Sequence, residues 1–131
     1  MSSTARFLQA FASATEVVTG VVLVVLPSGV ARLLFGVEFV GAGIAAGRVA
    51  GIALMALGIA CWPTRSGQGA CLGMLLYTLV VAIYFVLIGV EGESVGVLLW
   101  PAAAYHAALA AALSIVWFRP RQHRESDVTH R

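Results

Sequence analysis

Residues Gly69–Val90, GACLGMLLYTLVVAIYFVLIGV, form an uncharged apolar run long enough to cross a bilayer. A helix rising 1.5 Å per residue needs about 20 apolar residues to span roughly 30 Å of hydrocarbon. Three further runs of about that length flank it. On the N-terminal side lie Phe7–Leu26, ending at Pro27, and Gly41–Trp62, ending at Pro63; on the C-terminal side lies Val95–Phe118, closing at Arg119-Pro120. In hydrocarbon only helices and closed barrels satisfy their own backbone, and no alternating ten-residue pattern suggests a barrel. The reading is therefore all-α: a four-helix transmembrane bundle over residues 1–118.

Composition supports this. Of the 131 residues, 60% are apolar and only 11% charged, and mean hydropathy is +0.95. Soluble domains carry about a quarter charged residues. Six of the fourteen charges fall in Arg119–Arg131, predicting a basic, disordered cytoplasmic tail over 119–131. The net charge of +2 comes from arginine alone, and no basic stripe with interleaved aromatics points to nucleic acid. The competing reading of the first run as a cleaved signal peptide rests on Arg6, the apolar stretch and Gly29-Val30-Ala31, and is opposed by its length and by Glu16.

The arginines also orient the chain. Alternating spans put Arg6, Arg65, Arg119, Arg121, Arg124 and Arg131 on one side, leaving Arg32, Glu38, Glu91 and Glu93 on the other. By the positive-inside rule both termini are expected in the cytoplasm of a bacterial inner membrane. Trp62, Trp117 and Phe118 would mark the cytoplasmic interface and Phe35, Phe39 and Trp100 the opposite one. Between the first two spans, Val30, Leu33, Leu34 and Val37 repeat at helical spacing with Arg32 and Glu38 off the stripe, predicting a short amphipathic helix in the interface. Continuation of the first helix past Pro27 is the alternative.

Gly43, Gly47 and Gly51 fall four apart in the second span, with Gly58 two turns later, and Gly69 and Gly73 open the third. Such seams let helix backbones approach closely, within one chain or between copies, so a homo-oligomer or a membrane-protein partner is expected alongside lipid. Cys61 and Cys71 read as small packing residues. No spaced metal motif, phosphate-cradling loop or nucleophile elbow is present. No enzyme activity, metal or cofactor is therefore expected.

Glu16, Arg48 and His106 lie inside the spans, where ionisable groups cost several kcal/mol unless partnered or facing a cavity. Counted from the non-cytoplasmic ends they lie at depths of about 15, 10 and 15 Å, so all three side chains are expected to meet. On the first helix Gln9, Ser13, Glu16, Thr19 and Gly20 share one face. On the third, Tyr77 and Tyr84 share a face with Gly73 and are candidate hydrogen-bond donors to the same interior, packing being the alternative. Two readings of Glu16 with Arg48 stay open: a structural ion pair fixing helix register, or a proton site tuned by the arginine. His106 reads as a hydrogen-bonded interior residue.

Ala14-Thr15-Glu16-Val17-Val18-Thr19-Gly20 resembles the first-helix glutamate region of small multidrug resistance transporters, which implies a glutamate that alternately binds protons and cationic drugs in a dimer. Arg48 departs from that family's pattern. The overall layout is similar to the DoxX-like four-helix proteins of bacterial inner membranes, through Leu33-Leu34-Phe35-Gly36, Gly47-Arg48 and Leu99-Trp100-Pro101. That resemblance implies a fold type and is the preferred one. The expected function is a non-enzymatic accessory, scaffold or partner-binding bundle organised by Glu16, Arg48 and His106. A proton-coupled small-molecule transporter using Glu16 is the alternative.

Overall fold

The computed structural model describes residues 3–63, 68–93 and 95–126, with backbone alone for 68 and 119–126. These residues form five helices: α1 (Ser3–Val25), α2 (Pro27–Phe35), α3 (Ala42–Ala60), α4 (Gln68–Glu91) and α5 (Leu99–Ser126). All but α2 are long and apolar enough to cross a membrane. The chain is thus an all-α, multi-pass bundle. Valine, isoleucine and leucine side chains such as Val18, Val49, Ile52, Val80, Ile83 and Ile115 stand exposed along the spans, a surface suited to lipid and not to water.

Pro27 separates the first two helices. It has no N–H to donate into a continuing helix and disfavours helical geometry at the residue before it; Leu26 sits at φ −129°, ψ 58°. Pro27 then serves as the first residue of α2, where the missing donor costs nothing. Gly36 ends α2 in the left-handed conformation (φ 71°), its N–H donating to the Arg32 carbonyl at 3.0 Å. The Ser28 hydroxyl donates to the Phe39 carbonyl at 2.9 Å and ties the following connection back to the start of α2. Arg32 and Glu38 pair at 2.9 Å on the exposed side. The short helix expected between the first two spans is therefore present. Its deepest face, however, is Pro27 and Ala31, with Leu33 and Val37 exposed.

The fourth span begins later than its apolar run. Val95 was expected in the helix, yet α5 starts at Leu99. The intervening backbone crosses the C-terminal turn of α2: Gly96 N–H donates to the Leu34 carbonyl (2.9 Å) and Leu98 N–H to the Leu33 carbonyl (2.8 Å). These bonds satisfy carbonyls that a helix end leaves without intrahelical partners. Gly96 is needed there because a Cβ would collide with the Leu33 carbonyl oxygen. At the far end α5 continues to Ser126, so residues 119–126, expected as an irregular tail, prolong the helix. Arg121, Gln122, Arg124 and Glu125 are good helix formers, and they carry the helix past Pro120. The expected tail residues 127–131 lie outside the described residues.

Two helix pairs make up the bundle, α1 with α3 and α4 with α5, and α1 bridges them. The α3 seam packs within the chain. A Cβ on Gly51 would lie 2.7 Å from the Gly20 carbonyl oxygen, and one on Gly58 would lie 2.5 Å from that of Ser13. Gly47 faces Pro27 and the Phe39 ring, and Gly43 faces Phe39. Gly73, by contrast, meets only the Cys61 sulfur at 4.0 Å. Toward the end of the bundle that carries both termini, Ala12, Cys61, Cys71, Met74, Leu75, Leu109, Ala110 and Leu113 form a dry core. Toward the α2 end the interior holds a cavity between the pairs.

Candidate functional site: an intramembrane cavity floored by Glu16 and His106

The buried face of α1 carries Gln9, Ser13, Glu16 and Gly20, at i, i+4, i+7 and i+11. This row lies against the rest of the bundle because the valines around it are better left in lipid. Glu16, 2% exposed, stands where the dry core gives way to the open half. Tyr77 of α4 donates its hydroxyl to Glu16 Oε2 at 3.1 Å. From α5, His106 Nε2 lies 3.9 Å from Glu16 Oε1. Three helices thus converge on one carboxyl group.

The state of His106 follows from its other nitrogen. Nδ1 lies 2.8 Å from the Ala102 carbonyl oxygen, which can only accept, so Nδ1 carries hydrogen. In the neutral ring Nε2 is then an acceptor facing Glu16. Attraction across the gap requires one proton there, on the carboxyl or on Nε2. A single proton there leaves the pair neutral overall, the state that suits its depth in hydrocarbon. The 3.9 Å separation exceeds hydrogen-bond length, so the pair is not closed. Three rings hold the imidazole edge-on: Tyr105 at 5.2 Å between centroids, Phe85 at 5.7 Å and Tyr77 at 6.1 Å.

This cluster floors a cavity of about 720 Å³ between the two helix pairs. Thr15, Val18, Thr19 and Val22 line it from α1, Ala46, Gly47, Ala50 and Leu54 from α3, Tyr77, Val81 and Phe85 from α4, and Pro101, Ala102, Tyr105 and His106 from α5. Val30, Ala31, Leu33 and Leu34 of α2 roof it, with Leu98 of the segment bonded to α2. The volume is in the range of small-molecule sites, and the walls are apolar with few polar groups, all grouped at one end.

Comparison with known proteins gives no matching family model, no matching curated protein and no matching solved structure.

The structure brings together some of the residues that the sequence singles out and separates others. Glu16, His106 and Tyr77 meet. Thr19 lines the cavity wall and Ser13 lies buried one turn below Glu16, its Oγ without a hydrogen-bond partner. Arg48 does not join them: it is exposed on α3, and no ion pair links it to Glu16. Gly47 and Gly51 occupy the packed face of α3, and the residue after Gly47 is turned about 100° away from it. Depth allowed the Glu16–Arg48 pair, but azimuth excludes it. Tyr84, 58% exposed, sits nearer the α2 end in a separate hollow with Phe35, Glu91 and Glu93.

Two contributors escape the sequence pattern. Tyr105 and Phe85 flank His106, and their only signal was proximity along the chain to His106 and Tyr84. The Tyr105 hydroxyl is buried on the cavity wall, with Thr15 beside it. Gln9 donates its Nε2–H to the Cys61 carbonyl at 2.9 Å, joining α1 to the end of α3, while its Oε1 is buried and unpartnered. Among the described residues no group of three or more His, Cys, Asp or Glu side chains comes together.

Proposed function

We propose that this chain is a non-enzymatic small-molecule-binding bundle of the bacterial inner membrane, with both termini cytoplasmic, acting as an accessory component that holds a lipid-soluble molecule within the bilayer. The observation that carries this reading is the cavity of about 720 Å³ with its polar groups gathered at one end around Glu16 and His106. A scaffold needing only helix register would be served by a filled interior, since packing voids cost stability. The resemblance to DoxX-like proteins belongs to the same proposal and supports its fold type. Association with a second copy or another membrane protein remains part of it. The α3 glycines do not support that association, because α1 already occupies them.

Extraction and mass spectrometry of lipophiles that copurify with the chain test the reading. One or a few compounds should be enriched over bulk lipid, and they should be depleted from a cavity-filled variant, Ala46→Trp, that still folds. Identical profiles for the two proteins would remove it.

A second reading, proton-coupled transport, is favoured by one specific observation. Glu16 faces the cavity and His106, with Arg48 elsewhere, so among the described residues no permanent cation neutralises it. Proton-driven flux in reconstituted vesicles that is lost in Glu16→Gln, with the protein folded, would establish this reading over simple binding.

A further inference from the structure

We infer that the cavity takes a hydroxyl-bearing lipophile, its oxygen bridging Glu16 and His106, and that the ligand reaches it from the bilayer. This rests on the binding reading above and specifies the ligand that reading leaves unnamed.

The head group follows from donors and acceptors. Glu16 Oε2 already accepts from Tyr77, and His106 Nδ1 already donates to Ala102, so the remaining capacity is Glu16 Oε1 and His106 Nε2, 3.9 Å apart. One oxygen placed about 2.8 Å from each closes the gap. With the shared proton on the carboxyl, that oxygen must accept from Glu16 and donate to Nε2. With the proton on the imidazole, it must accept from Nε2 and donate to Glu16. A hydroxyl does both in either state. A carbonyl or ether only accepts and leaves one partner unmet, and an ammonium only donates. With one proton shared between the pair the site carries no net charge, so a fixed cation would have none to meet without expelling that proton. Tyr105, whose ring packs against His106, lines the same wall and adds a hydroxyl to the head-group region.

The route follows from the lining. Val18, Val22, Ala46 and Ala50 line the cavity and are also exposed on the surface of membrane-spanning helices, so the cavity opens through the side of the bundle toward lipid. Its α2 end is covered by α2 itself and by residues 96–98 hydrogen-bonded across it. A molecule confined to the hydrocarbon phase can enter; one confined to water meets the roof. Apolar walls above a single polar floor then orient a molecule with one polar end.

The test is photolabelling of the full chain in lipid nanodiscs with three probes of equal chain length, each bearing a mid-chain diazirine: a primary alcohol, the alkane and the trimethylammonium. Labelled positions are mapped by peptide mass spectrometry. The alcohol should label cavity positions of α1 and α5 roughly tenfold more than either other probe, the ratio expected for one charge-assisted hydrogen bond. Ala50→Trp should abolish that labelling, while Ile52→Trp, on the outward face, should leave it intact. Val18→Trp is the second rim variant should Ala50→Trp fail to fold. Equal labelling of the cavity by alkane and alcohol would overturn the head-group assignment and leave the binding reading standing. Preference for the trimethylammonium probe would overturn it in favour of proton-for-cation exchange. Absence of cavity labelling by all three probes would sink the binding reading itself.

Discussion

Glu16 should be energetically coupled to Tyr77 and not to Arg48, and a pair of double-mutant cycles tests this directly. Tyr77 donates to Glu16 Oε2 at 3.1 Å from within the bundle, whereas Arg48 is exposed on the far side of the α3 packing face. Intramembrane hydrogen bonds measured by such cycles average about 0.6 kcal/mol and reach about 1.7. Glu16 has little water to fall back on, being 2% exposed, which places the Tyr77 coupling in the upper half of that range. At about 1.4 kcal/mol the coupling changes an unfolding equilibrium tenfold. The variants are Glu16→Met, Tyr77→Phe and Arg48→Met with the two double changes, and the assay is equilibrium unfolding in mixed micelles at fixed pH. Tyr77→Phe should cost stability in the wild-type background and markedly less beside Glu16→Met, which has no oxygen to accept from the hydroxyl. Arg48→Met should have the same effect in both backgrounds. Coupling to Arg48 as large as that to Tyr77 would refute the geometry and restore the ion pair that depth alone suggests.

Gly51→Val should lower the thermal midpoint by separating α1 from α3, since even its first carbon would lie 2.7 Å from the Gly20 carbonyl oxygen; overpacking of this kind costs about 1–3 kcal/mol. Gly69→Ala, with nothing within 4 Å, should leave the midpoint unchanged, and equal shifts in both would contradict the intrachain seam. Nitrogen NMR of labelled histidine should find Nδ1 of His106 protonated whenever the ring is neutral; a neutral Nε2–H tautomer would break the single-proton account of the Glu16 pair. Cys61 and Cys71, both 4% exposed, should react with a maleimide in nanodiscs only as the bundle unfolds, and rapid modification in the folded state would argue against the dry core.

Much of the scaffold is legible along the chain because hydrocarbon imposes a one-dimensional rule. A segment in lipid must be helical, and it must be long enough to cross. Gly69–Val90 states its span almost to the residue, and α4 runs Gln68–Glu91. Pro27 likewise announces the break before α2. Where apolar character is not decisive, the boundaries move: Val95–Leu98 are apolar yet leave the helix, because the carbonyls of Leu33 and Leu34 need donors.

The chain by itself determined four spanning helices, the short helix between the first two, and the presence of buried ionisable groups at matching depths. Depth follows from counting residues and so can be read without a fold. Which buried groups face one another depends on the azimuth of each helix about its axis, and that was decided only by packing. The glycines of α3 turned toward α1 and carried Arg48 outward, while Glu16 of α1 turned toward α4 and α5 and met Tyr77 and His106. The cavity above them belongs to no helix. It lies between two tight helix pairs beneath α2, a relation between elements that no single run of residues contains.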